Sequence, residues 1–266
     1  MKNEKAQIIN PFLEPIDHIL ERFGLCSKRA FKNFIKNHKV EIISNKSQIA
    51  QIVSERSISF DSDKDTLLID NKKINIPPHL YIFFNKAKGV VCSRVSDRHQ
   101  TIFSQFSASI QNEPLFKHLH IAGRLDEQST GLVFLSTNGS FTNHLISPQN
   151  HLQKKYKVIL QNECTSVLQG EYKSQFLSGI KVSAQKKAGA FICKPAKIEF
   201  ISQNICEVTL TEGKFHQIRR MFEELGNVVI DLERINIGNF CLPCNMTQNA
   251  YILLSRKKIE NIFYRL

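Results

Sequence analysis

Gly123-Arg124-Leu125-Asp126-Glu127-Gln128-Ser129-Thr130-Gly131-Leu132-Val133-Phe134-Leu135 passes from a polar loop straight into four consecutive large apolar residues. An apolar run of this length, bounded by glycine, marks a strand buried on both faces. It therefore belongs inside a sheet, and the Asp126 carboxylate stands in a tight loop leading into the core. A low dielectric makes such a carboxylate costly unless a cation partners it. Spacing leaves Asp126 two roles: a turn residue capping backbone N–H groups, or a functional acid.

Outward from this strand the same period-two logic recurs. Tyr156, Val158 and Leu160 alternate with Lys155, Lys157 and Ile159. Ala196, Ile198 and Phe200 alternate with Lys197 and Glu199, and Cys206, Val208 and Leu210 with Glu207 and Thr209. None of these runs shows regular strand–helix–strand spacing, so the fold class is α+β: a mixed, largely antiparallel sheet with flanking helices. Pro77-Pro78 precedes the apolar Tyr81-Ile82-Phe83-Phe84 and marks a change of domain.

The first 78 residues hold 13 basic and 10 acidic side chains, net +3, and the remainder 23 and 14, net +9. Most of the total charge of +12 thus lies in the larger part, and it suits either a polyanionic partner such as nucleic acid or an ordinary solvated basic surface. With 42% apolar and 23% charged residues the chain is neither disordered nor fibrous. No apolar stretch approaches the ~18 residues that span a bilayer. Met1 to Lys5 leads into a polar segment without a signal-peptide core, so a cytoplasmic protein that does not contact membrane is expected. Seven cysteines at irregular spacing suit reduced thiols. The single CxxC, Cys241-Leu242-Pro243-Cys244, lacks a second ligand pair, so no metal is expected.

In the smaller part, Ile16, Ile19, Leu20 and Phe23 share one helical face and Gly24 closes the helix. Ser27 is placed to cap a second helix whose stripe is Ala30, Phe31, Phe34 and Ile35. Lys28, Lys32 and Lys36 fall four apart on its other side, at a spacing that suits phosphates or an ordinary solvated face. Val40-Glu41-Ile42-Ile43 and Thr66-Leu67-Leu68-Ile69 read as strands.

Two further segments carry reactive groups beside apolar anchors. Lys154-Lys155-Tyr156 opens an alternating strand, where an inward Tyr is either core or an aromatic plane with a proton-relaying hydroxyl. In Glu212-Gly213-Lys214-Phe215-His216-Gln217-Ile218-Arg219-Arg220-Met221-Phe222 a helix follows Gly213, with Ile218, Met221, Phe222 and Leu225 as its stripe. At about 100° per residue Arg219 lies beside that stripe and Arg220 points away from it. Arg219 is then the candidate for a partly buried ion pair and Arg220 for solvent or phosphate.

In this order the segments resemble the RNA pseudouridine synthases that carry an S4 module, most closely the branch acting on small-subunit (16S) ribosomal RNA. His120 to Asp126 with Thr130-Gly131-Leu132 resembles the family's aspartate motif, Ser147-Pro148 through Lys155-Tyr156 its tyrosine motif, and Glu212 to Phe222 its arginine motif. Asn85-Lys86-Ala87-Lys88-Gly89 with Val91-Cys92-Ser93 is similar to the opening motif, with Ala87 where Pro is usual. Residues 16–70 resemble the S4 module, with Ile16 where an Arg is usual and no Val-Asn-Gly turn after Val40. The resemblance implies an S4-like domain over 14–72 and a catalytic domain over 79–262. It implies that Asp126 attacks the ribose anomeric carbon or removes a ribose proton, that Arg219 pairs with it, and that Tyr156 stacks on the extruded uracil and assists proton loss from carbon five. Lys28, Lys32, Lys36, Lys86, Lys88, Arg124, Lys154, Lys155, Lys214 and Arg220 are then expected to position the RNA backbone. No cofactor is needed, because the isomerisation has no net redox change. The expected partner is ribosomal RNA within a small-subunit assembly intermediate, met by a monomer. A large-subunit sister enzyme, an RNA-binding assembly factor without the chemistry, and a nucleosidase are the alternatives.

Overall fold

The computed structural model describes residues 10–45, 47–185 and 189–263; the polar start Met1 to Lys5 lies outside them. The described residues form two compact units. One runs up to Leu80 and includes residues 114–120 and 136–144, and the other holds Tyr81–Glu113, Ile121–Leu135 and the chain from Leu145.

In the first unit, helix α1 (Ile16–Arg22) buries Ile16, Ile19 and Leu20 completely, as their spacing requires. Gly24 ends it in a left-handed conformation (φ +67°). Helix α2 (Phe31–Asn37) buries Phe31, with Phe34 and Ile35 packed against the same core. Ser27 accepts the Ala30 N–H at 3.2 Å, but this closes a turn ahead of the helix. Lys28 therefore stands outside α2, 3.7 Å from Glu21, while Lys32 and Lys36 lie exposed on it. The three lysines do not form one helical stripe.

Strands β1 (Val40–Ser44), β2 (Ala50–Ile52), β3 (Asp65–Ile69) and β4 (Lys72–Ile74) make an antiparallel sheet in the order β2-β1-β3-β4. Val40 faces Ile69 and Ile42 faces Leu67, so both apolar alternations meet on one side. The two-residue turn between β3 and β4, Asp70-Asn71, has positive φ at both positions, which matches the right-handed twist of the strands.

This unit also holds a buried ionic knot. Glu14 is 2% exposed; its carboxylate pairs with Arg22, lies 3.0 Å from His79 Nε2, and accepts the Gly139 N–H at 2.9 Å at the start of helix α3 (Gly139–Ile146). Burial pushes its pKa up, but the hydrogen bond and charge of His79 and the charge of Arg22 outweigh this and hold it at about 2.

The second unit is a mixed sheet built on β5 (Tyr81–Lys86), β6 (Thr130–Ser136), β7 (Lys154–Leu160), β8 (Lys197–Phe200), β9 (Ile205–Leu210), β10 (Val229–Ile237) and β11 (Tyr251–Leu253). Their order is β8-β9-β7-β10-β6-β5-β11. The β6–β10 pair is parallel, and β8–β9, β9–β7, β7–β10 and β5–β11 are antiparallel, as the α+β reading requires. All seven residues of β6 are buried. Helices α4 (Ser166–Ser178) and α5 (Gln217–Glu224) pack through Tyr172, Phe176 and Phe222, whose rings lie 5.3–5.9 Å apart.

The registers place Val208, Tyr156, Arg234 and Gly131 in one row across four strands. One extra residue in β10 beside Tyr156 makes a bulge between Arg234 and Asn236, a device that re-aims side chains next to functional sites. Gly131 closes the row at φ +100°, where an added Cβ would lie 2.4 Å from the Arg234 carbonyl oxygen. Only glycine allows β6 to approach β10 this closely.

Two stability outcomes follow from these contacts. The depressed pKa of Glu14 stabilises the fold above its unfolded value near 4.5, and this is lost as pH falls toward about 2. The loss is expected to reach about 3 kcal/mol. Denaturant titrations at a series of acidic pH values will show it, and Glu14→Gln will lower stability at neutral pH and flatten the acid dependence. Gly131→Ala is expected to cost ~3 kcal/mol through the backbone clash, measured the same way.

Candidate active site

A cavity of about 390 Å³ opens in the second unit. The loop 123–126 forms one wall, Lys154 and Tyr156 from the start of β7 another, and Leu210 to Ile218 a third. Among the residues expected to act, Arg124, Asp126, Lys154, Tyr156 and Lys214 all line it. Segments that the chain separates by up to about ninety residues thus converge because β7, β9 and β10 are neighbours in the sheet.

The loop that carries Asp126 is held through its backbone. Lys86, fully buried at the end of β5, donates from Nζ to the carbonyls of Ala87, Glu127 and Ser129 at 2.9, 3.1 and 2.7 Å. Arg234, 2% exposed, donates from Nε to the Leu132 carbonyl and from a terminal nitrogen to the Gly123 carbonyl, both at 2.7 Å. Arg219 donates to the Gln128 carbonyl at 3.1 Å and to the Val229 carbonyl at 2.9 Å. Three cations therefore brace the loop on both sides of Asp126, and hydrogen bonds from charged donors are each worth about 1.5–3 kcal/mol. Burial pushes the Lys86 ammonium below its ordinary value, while Cys92, Asp126 and Glu127 pull it back up.

The Asp126 side chain itself is 37% exposed and faces the cavity. His216 Nε2 lies 3.7 Å from its Oδ1. The expected ion pair with Arg219 is not formed, because that guanidinium is already occupied by two carbonyls. Arg219 touches the Asp126 loop through its backbone instead.

Arg220 departs from expectation as well. It is 2% exposed, donates to the carbonyls of Ser183 and Gly189 at 2.6 and 2.9 Å, and lies over the Phe191 ring at 4.6 Å. Ser183, Gly189 and Phe191 cover the flank of α5 that a helical projection leaves open, so Arg220 is a packing residue and not a phosphate contact. Lys86 is likewise removed from the RNA-contacting set by its burial.

Lys155 is bound to Glu207 at 2.9 Å, which raises its pKa, while Lys88 is exposed. Lys154 is half-buried in the cavity wall, and burial together with the nearby Arg234 lowers its pKa. Lys214 donates to the Ile192 carbonyl at 2.8 Å and lies over Phe191 at 4.4 Å. The arginine segment is fixed by Gln217, buried at 4%, which donates to Glu212 at 2.6 Å and accepts the Lys214 N–H at 2.9 Å.

Arg234 is the site residue that motif reading does not reach. A signal for it exists: in Val229–Ile237 the positions of Val229, Leu232, Arg234 and Ile237 are the buried ones, so a cation stands where the pattern asks for an apolar side chain. Among the described residues no cluster of three or more His, Cys, Asp and Glu is arranged to hold a metal ion, and none of their helices is long and apolar enough to cross a membrane.

With this geometry in place, the comparisons with known proteins are specific. A family model described as RNA pseudouridylate synthase matches residues 80–224. The Haemophilus influenzae protein named "Ribosomal small subunit pseudouridine synthase A" is 32% identical over 246 residues, which cover 92% of this chain and 97% of that protein. The Escherichia coli protein of the same name is 32% identical over 182 residues, 68% of this chain and 73% of its own. A solved structure titled "Crystal structure of pseudouridylate synthase" aligns over 92% of this chain and 97% of its own at 31% identity, with a TM-score of 0.61. A buried strand, a braced aspartate and a cavity-facing tyrosine thus coincide with similarity along nearly the whole chain, which belongs to the RNA pseudouridylate synthase family.

Proposed function

We propose that this enzyme converts one uridine of small-subunit ribosomal RNA to pseudouridine, acting as a cytoplasmic monomer on an unfinished subunit in which that nucleotide is still accessible. The observation that carries the reading is the meeting of Asp126 and Tyr156 in one cavity walled by Arg124, Lys154 and Lys214. Relatives named for the small ribosomal subunit align along most of their own length, which supports the choice of RNA.

The reaction breaks the bond between N1 of uracil and the ribose anomeric carbon, turns the base, and joins carbon five to the same ribose carbon. N1 gains the proton that carbon five loses. We assign Asp126 to the ribose, as nucleophile at the anomeric carbon or as base toward a ribose proton, and Tyr156 to the base, as stacking plane and proton acceptor's relay. Arg219, Arg234 and Lys86 act as positioning residues that hold the loop on which Asp126 sits. Extruding the uridine costs a few kcal/mol, less from a loop than from a helix. Arg124, Lys154, Lys214 and Lys88 offset this through the phosphates, and Lys32 and Lys36 extend the contact in the first unit. The chemistry is redox-neutral and draws on no cofactor.

Mapping pseudouridines in both ribosomal RNAs of a strain lacking the gene is expected to reveal one uridine left unmodified in the small subunit; a loss confined to the large subunit rejects the assignment. Asp126→Asn is expected to abolish isomerisation and leave RNA affinity nearly intact, read by product chromatography and filter binding; turnover at the wild-type rate would remove Asp126 from the chemistry. Arg234→Met is expected to lower kcat about a hundredfold with little change in KM, since it frees the Gly123 and Leu132 carbonyls and lets the loop shift.

A further inference from the structure

Phe215 sits at the wall of the cavity and remains 47% exposed, unusual for a phenylalanine in a segment otherwise fixed by buried contacts. One face of its ring is covered by His216, with centroids 3.8 Å apart and planes 14° from parallel. His216 holds that position with a left-handed backbone, φ 49° and ψ 30°, immediately ahead of α5. A non-glycine residue pays conformational energy there, and such strain persists where the surroundings over-determine it, often at ligand sites. The surroundings are the Gln217 and Glu212 hydrogen bonds that lock the chain on either side of the two rings. The result is a stacked pair of rings in which Phe215, with His216 against one face, is 47% exposed.

The cavity measures about 390 Å³, near the lower end of the ~300–1,000 Å³ usual for ligand sites, which suits one nucleotide. Tyr156 and Asp126 already serve that nucleotide, so an exposed ring at the rim is available to a different one. Arg124 and Lys214 line the same cavity and are exposed, which places cations for the connecting phosphates beside the ring. Single-stranded RNA is read by stacking unpaired bases on aromatic planes of this kind.

We propose, resting on the RNA-modifying role argued above, that Phe215, backed by His216, is a stacking plane for the base of a nucleotide adjacent to the flipped uridine. Phe215 is thereby a binding and selectivity residue that favours substrates in which the target's neighbour is also unpaired.

The test uses the full chain and small-subunit RNA fragments carrying the fluorescent base analogue aminopurine at each position flanking the target, one per fragment. In the Asp126→Asn background, binding is expected to quench the analogue at one flanking position, and adding Phe215→Leu to abolish that quench. In the otherwise wild-type enzyme, Phe215→Leu is expected to raise KM about tenfold with kcat nearly unchanged, and Phe215→Tyr to retain wild-type values. Thermal unfolding of each variant verifies that the fold is kept, as an exposed position predicts. The proposal is overturned if no flanking position is quenched, if the quench survives Phe215→Leu, or if that variant lowers kcat alone, which would assign the ring to the flipped uridine itself. Absence of pseudouridine formation by the wild-type enzyme defeats the parent reading instead, and the quenching experiment remains readable without turnover.

Discussion

The site depends on cations that are spent on backbone. Lys86, Arg219 and Arg234 reach the Asp126 loop from three different elements, and each donates at least one hydrogen bond to a main-chain carbonyl of residues 123–132. Carbonyls in a loop that enters the core cannot all be satisfied by a ladder, and burying them unpaired is costly. Charged donors solve that problem and place positive charge around an acid without closing it into a salt bridge. The Asp126 carboxylate stays open to the cavity, where a substrate can reach it, while its backbone is held still.

This bracing depends in turn on close strand approach. Gly131 has no side chain to separate β6 from β10, and the guanidinium of Arg234 reaches both Leu132 in β6 and Gly123 ahead of the loop. The bulge after Arg234 gives β10 a local change of register beside Tyr156. Tyr156 and Arg234 are cross-strand neighbours, so the cavity-lining tyrosine and the strut beneath the aspartate loop share one row of the sheet. Functional groups carried on strands in this way are positioned more sharply than groups on loops alone.

Periodicity carried much of the architecture. The spacing of Ile16, Ile19 and Leu20, the run at Leu132, and the alternations around Tyr156, Ile198 and Val208 all correspond to observed elements, since burial on one face imposes its period on the chain. Asp126 and Tyr156 stood out as local features, a carboxylate entering a core and an aromatic heading an alternating strand, but spacing left each a bland role beside a functional one; the structure brings both to one cavity. The partners of the cations were not. A helical projection separates Arg219 from Arg220 by angle, yet whether a flank meets solvent depends on what packs over it, and Ser183, Gly189 and Phe191 cover Arg220 from a distance in sequence.

From its sequence alone this protein is a basic α+β chain with an acid in a glycine-bounded loop, because charge balance and hydrophobic period are properties of the chain itself; RNA entered only through the resemblance of its motifs to a known family. Only the tertiary structure decided that Lys86 and Arg220 are buried, that Arg219 serves carbonyls, and that Arg234 underlies the site. The physical reason is that a long cationic side chain takes whichever acceptor lies within its reach, and strand order and register, set by contacts far apart in sequence, determine which acceptors those are.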